Sequence, residues 1–152
     1  MAYEIPGFRF TLNASTALAA DIAILIAAGT PHVFRFVSVD SSSEIDYTVL
    51  HGIDDDMANA VVGVIQDDPS VDGEPASIMA TGVSRVEAGT GGVTAGQRVV
   101  TVDTTVLGGR ATDVTANGDN QIAVGIALET VSAGEFFACL LMTPGGNRNA
   151  LS

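Results

Sequence analysis

The sequence predicts a mostly β protein: a small β-barrel or sandwich with an extended N-terminal arm and at most one or two short helices. Three observations predict it. Short apolar runs rich in Val, Ile and Thr recur along the chain, as pleated, half-buried strands require. Turn signals separate them roughly every 8–15 residues, the spacing of small all-β folds. The composition agrees, with 17 Gly, no Trp and no Lys, and hydrophobic residues at 47% against 16% charged. At 152 residues the chain fits one domain that needs no disulfide or metal to fold.

Residues 1–16 (MAYEIPGFRFTLNAST) read as the arm. Pro6-Gly7 marks a bend. Beyond it Phe8, Phe10 and Leu12 alternate with Arg9, Thr11 and Asn13, a period of two with one apolar face. Ser15 or Thr16 can cap a short helix that runs through Ala28, with Gly29 as its stop and Pro31 beyond it. That stretch, Ala17–Ala28, contains Asp21 and is shorter than the ~20 apolar residues of a membrane span. A signal peptide would want a basic start, and only Arg9 precedes it.

From His32 onward strands are expected at Val33–Val39, Tyr47–Leu50, Ala60–Gln66, Ala76–Ala80, Val83–Glu87, Arg98–Val102, Ile122–Leu128 and Glu135–Met142. The last two read as an antiparallel hairpin through Ser132-Ala133-Gly134. Gly73, Gly96 and Gly134 are placed to supply turn conformations closed to other residues. Glu74 and Glu135 follow two of these glycines and either cap backbone amides or sit on the surface. Residues 17–142 form the β-rich domain, and 143–152 form a loose tail.

The formal net charge is −12, and all six cations are arginines. Seven carboxylates fall between Asp54 and Glu74, where there is no arginine. Phosphate backbones and anionic membranes are bound by clustered Lys and Arg, so nucleic acid and membranes are not expected partners. Several strands, Ala60–Ile65 and Phe136–Met142 among them, are apolar on both faces. One small barrel cannot bury both, so a homo-oligomer, a homo-trimer in particular, is expected.

Reactive constellations are missing from the sequence. His32 and His51 stand at strand ends with no ligand spacing around them, and no HExxH, CxxC, GxSxG or Walker A pattern occurs. Asp54-Asp55-Asp56 lacks the alternation of a calcium loop. Cys139 lies in an apolar run and reads as a buried, inert thiol. The expectation is a non-enzyme with no cofactor and no metal.

One ordered series of motifs carries a family resemblance. It runs GVIQDDPSVDGEPASIMATGVSRVEAG from Gly63, then VTAGQRVV, then VGIALETVSAGEFFACLL ending at Leu141. With Ala19-Ala20-Asp21-Ile22 and Phe36-Val37 upstream, it resembles the phage capsid cement family related to lambda-type head decoration proteins. Gln97-Arg98 departs from the pattern, where an acidic residue usually follows Ala-Gly, as do two long segments, Asp40–Met57 and Thr104–Gln121. The resemblance implies β-rich trimeric subunits on the outer surface of the capsid, made in the host cytoplasm. They would bridge major capsid protein subunits of the expanded phage head and stabilise it. The arm has two readings: it binds the shell by strand addition, through Phe8, Arg9, Phe10 and Leu12, or Phe8–Leu12 is the first strand of the protein's own barrel. Two other readings stand beside the resemblance: a fibre or baseplate domain, and a small enzyme or ligand-binding barrel.

Overall fold

The computed structural model describes residues 4–29, 33–39, 48–51, 61–102, 108–114 and 123–142. The fold is mostly β, with one helix and two sheets. The first sheet is a closed five-stranded barrel in the order β2-β4-β3-β5-β6. Its strands are β2 (Arg9–Ala14), β3 (Phe36–Val39), β4 (Thr48–His51), β5 (Val61–Ile65) and β6 (Pro75–Met79). All its pairings are antiparallel except that of β2 with β4.

The helix α1 (Thr16–Ala27) follows β2 directly. Ser15 sits in extended backbone and accepts the Leu18 N–H on its side chain, the expected N-cap. Gly29 lies at φ 65, where a left-handed residue ends the helix. Leu18 and Ile22 enter the barrel cluster with Ala14, Val37, Ile65, Ala76 and Ile78, and Leu25 one turn on is buried too.

The second sheet has six strands in the order β1-β7-β11-β10-β8-β9. They are β1 (Ile5–Pro6), β7 (Gly82–Glu87), β8 (Arg98–Val102), β9 (Arg110–Asp113), β10 (Gly125–Ala127) and β11 (Phe136–Leu141). It curls towards closure, and a single parallel bridge links Ala88, just past β7, to Ala111 of the edge strand β9. Phe137, Val86, Val99, Cys139, Leu141 and Ala111 fill its concave side. The hairpin expected at the end of the chain is present as β10–β11.

Of the two readings of the N-terminal segment, the structure agrees with the second: Phe8–Leu12 belongs to the chain's own barrel, and residues 5–14 are built into both sheets rather than left as a free arm. Ile5 and Pro6 pair with Val83 and Gly82 of β7, and Arg9–Asn13 pairs with Met79–Pro75 of β6. An alternating strand looks the same in sequence whether its partner belongs to another protein or to its own chain. Here the partner is β6. The crossing between the sheets is tight: a Cβ on Gly82, at φ 100, would stand 2.6 Å from the Ile5 carbonyl oxygen. Glycine alone fits there.

Candidate functional site

Between barrel and sheet lies a buried ion cluster that sequence spacing could not show. Arg35, just before β3, donates from Nε to Glu87 Oε2 at 2.9 Å. Arg110 of β9 reaches Glu87 Oε1 at 2.7 Å. Arg35 is wholly buried and Glu87 nearly so. Burial pushes the Arg35 guanidinium below its ordinary value, and the Glu87 charge opposes that shift. Both carboxylate oxygens are engaged by guanidinia, Oε2 by Arg35 and Oε1 by Arg110. The cluster clamps barrel to sheet.

The backbone of residues 34–36 reinforces the clamp. Phe34 donates to the Ile65 carbonyl at 2.9 Å, and its own carbonyl accepts from Glu87 at 3.0 Å. Phe36 donates to the Gly109 carbonyl at 2.7 Å. Phe34 holds φ 61, an uncommon conformation for an aromatic residue.

The outer, convex face of the second sheet is the candidate interaction surface. Directly opposed residues on neighbouring strands share a face. Register therefore aligns Ile5, Val83, Leu140, Ile126 and Arg98 in one row across β1, β7, β11, β10 and β8. Leu128, Ala138 and Arg85 make the next row. Ile5, Leu128 and Leu140 are 53%, 46% and 41% exposed. An apolar row across several strands, open to water, is the mark of a surface that meets another protein. The end of this face nearest the barrel is covered by Phe34, whose ring meets Phe136 edge-on at 5.9 Å.

The sequence-selected residues fall in three places. Phe10 and Leu12 turn inward and pack against the barrel cluster. Phe8 and Arg9 lie outside. Phe8 is 62% exposed, stacks on Phe10 at 5.9 Å, and donates its backbone N–H to the Thr81 hydroxyl oxygen. Gly73, Gly96 and Gly134 all have positive φ, at 76, 83 and 81, and end three similar turns. Glu74 accepts from the Ser70 and Val71 amides, and Glu135 from Ser132, so both carboxylates cap.

The described residues hold little that could do chemistry. The Cys139 thiol is buried and pushed up to about 12 by desolvation, which makes it a poor nucleophile. Among the described residues no three His, Cys, Asp or Glu side chains gather as metal ligands would. A cleft between Phe36, Val61, Val124 and Leu141 encloses about 10 Å³, room for one water at most. His32, Asp54-Asp55-Asp56, the side chain of His51 and the tail from 143 lie outside the described residues. No described helix is long and apolar enough to cross a membrane.

Fold and site together define a two-sheet β scaffold with a buried ion-pair clamp and exposed apolar residues on the convex face of the second sheet. Its fold is similar to that of the N base of head fiber gp8.5 from bacteriophage phi29. The TM-score is 0.52 at 15% identity, over 93% of this chain and 98% of that one. No protein-family model matches the sequence, and no curated protein matches it.

Proposed function

We propose that this protein is a structural component of a phage head: a capsid decoration or cement protein. On this reading it binds the outer surface of the expanded shell as a homo-trimer and stabilises it by bridging major capsid subunits. The observation that carries the reading is the likeness in fold, over nearly the whole of both chains, to the base of a phage head fibre. The motif series that resembles lambda-type decoration proteins points the same way. So does the exposed apolar face, which suits a protein that works by contact. Many individually modest contacts made by one oligomer add through multivalency. Phe8 and Arg9, exposed at the start of β2, are side-chain contacts for the shell rather than parts of an inserted strand.

The test is direct. Purified protein mixed with isolated expanded heads should co-sediment with them and raise the temperature at which they release DNA. Phe8→Ala and Arg9→Glu should weaken co-sedimentation without changing the melting temperature of the free protein. Heads that neither bind the protein nor gain stability would refute the proposal. The named neighbour favours a second reading, in which the protein is the base of a projecting fibre. Micrographs of particles separate the two: density flush with the shell supports decoration, and density continuous with a projecting fibre supports the base.

A further inference from the structure

We infer that Arg85 anchors a second copy of this chain, which inserts the tip of its β5–β6 turn, Val71-Asp72, onto the convex face of the second sheet. Asp72 of that copy pairs with Arg85, and Val71 packs on the apolar rows beside it.

Arg85 stands apart from the other arginines near the clamp. Arg35 and Arg110 share the Glu87 carboxylate. Arg85 has no carboxylate partner among the described residues, and its Nε is buried without an acceptor. Its guanidinium carbon lies 4.9 Å from the ring centres of both Phe34 and Phe136. Ring contacts hold a guanidinium without satisfying its in-plane N–H groups, which are shaped for a carboxylate. The arrangement is also rigid. Phe34 is held at φ 61 by backbone bonds to both sheets, so one of the rings over Arg85 is fixed at some conformational cost. The result is a pre-ordered, half-buried cation beside the exposed apolar side chains of Leu128 and Leu140.

The complement is present on the same chain. Val71 is 64% exposed, more than any other described large apolar side chain. It sits in a turn that is ordered before any encounter: the Glu74 carboxylate takes the Ser70 and Val71 amides, and Gly73 supplies φ 76. Asp72 beside it is exposed and makes no ion pair among the described residues. An apolar knob with an adjacent anion matches an apolar face with an embedded cation.

Charge makes a copy able to approach here. A chain of net charge −12 repels its own copies over most of its surface. The Arg85 face is where an uncompensated cation meets neutral apolar rows. Because knob and face are different parts of the chain, two copies can exchange the contact reciprocally as a two-fold dimer or pass it head to tail, closing into a ring when the rotation allows. The inference does not depend on a phage-head role, since the assembly is a property of the free protein.

Sedimentation of the purified full-length chain tests it, with circular dichroism as the check on folding. The wild type should form an oligomer that weakens as salt rises. Arg85→Glu and Asp72→Arg should each weaken association roughly tenfold or more, towards the 15.5 kDa monomer. Asp72→Arg changes an exposed turn tip, so it remains informative if Arg85→Glu disturbs folding. The two substitutions combined in one chain should restore association. A wild type that stays monomeric, folded single variants that associate as well as wild type, or a double variant with no recovery would each overturn the assignment.

Discussion

β2 in the barrel and β11 in the second sheet are both six-residue strands, and they meet their surroundings differently. Along β2, Arg9 and Thr11 are exposed while Phe10 and Leu12 turn in towards the barrel core. Along β11, Phe137, Cys139 and Leu141 fill one side, and Phe136, Ala138 and Leu140 give the other an apolar surface as well. The barrel is closed by backbone pairing and buries its own apolar face. The sheet closes through one bridge and keeps apolar area on its convex side. The difference teaches two ways of placing an apolar strand residue: β2 turns Phe10 and Leu12 in towards the barrel, whereas β11 keeps Leu140 open to water on the convex side, as α1 does Ile24 and Ile26.

The two regions are joined at two places, and cutting either tests whether they are independent. The largest effect is expected from removing residues 1–14. That deletion strips β1 from β7 and opens the barrel by removing β2 from β6 and β4. We expect loss of cooperative unfolding in urea. A truncated chain that keeps a sharp transition and still binds to itself would show that the segment is dispensable, as a free arm would be. The next effect belongs to the clamp. Glu87→Gln leaves two guanidinia without their counter-charge in a buried site, at a cost of about 3–5 kcal/mol in chemical denaturation. A loss below 1 kcal/mol would mean that packing of the 34–36 segment, not charge, holds the halves together.

The sequence showed the parts of this design that are local. Ser15 and Gly29 announced both ends of α1, and Arg98–Val102 was read to the residue. The turn positions of Gly73, Gly96 and Gly134 were legible, whereas Glu74 and Glu135 were open between capping an amide and standing on the surface. What failed to show was pairing across distance. Nothing in Phe8-Arg9-Phe10 says that β6, some 70 residues later, is its partner. β9 (Arg110-Ala111-Thr112-Asp113) was missed because only Ala111 of its four residues is apolar. The clamp was invisible for the same reason: Arg35, Glu87 and Arg110 come from separate strands and become neighbours only when barrel and sheet meet. The positive φ of Phe34 has no sequence signal, since an aromatic residue does not favour it.

A pH measurement separates the halves in another way. Asp67, at the end of β5, accepts the Ser77 amide on both carboxylate oxygens. Burial pushes its carboxyl above the ordinary 3.8, and the Ser77 hydrogen bond opposes the shift. A carboxyl raised in the folded state favours folding most when it is protonated. Its contribution is therefore complete below 3.8 and is lost as pH rises through the higher folded value. Asp67→Asn keeps an acceptor for Ser77 and removes the charge, so it should flatten this part of the stability–pH curve and raise stability at neutral pH. An unchanged curve would show that Asp67 is well solvated in the folded protein.

The smallest effects compare one turn built twice. Val71-Asp72-Gly73-Glu74 joins barrel strands, and Ser132-Ala133-Gly134-Glu135 leads into β11. In both, the amide of the glutamate donates to the carbonyl three residues earlier, at 3.0 and 3.2 Å, and the glycine has positive φ. A Cβ on either glycine would meet nothing within 4 Å. Gly73→Ala and Gly134→Ala therefore impose only the conformational cost of a left-handed residue, about 1–2 kcal/mol, and it should be the same in both turns. The caps differ: Glu74 takes two amides, at 2.8 and 3.1 Å, while Glu135 takes one at 2.8 Å. All these amides are exposed, so each lost bond returns to water, and each bond is worth only about 0.5 kcal/mol. Glu74→Ala should then cost about twice as much as Glu135→Ala in paired urea titrations. Equal losses would mean that the glycine conformation alone orders both turns, and that the second amide adds nothing to the rigidity of the Val71-Asp72 tip.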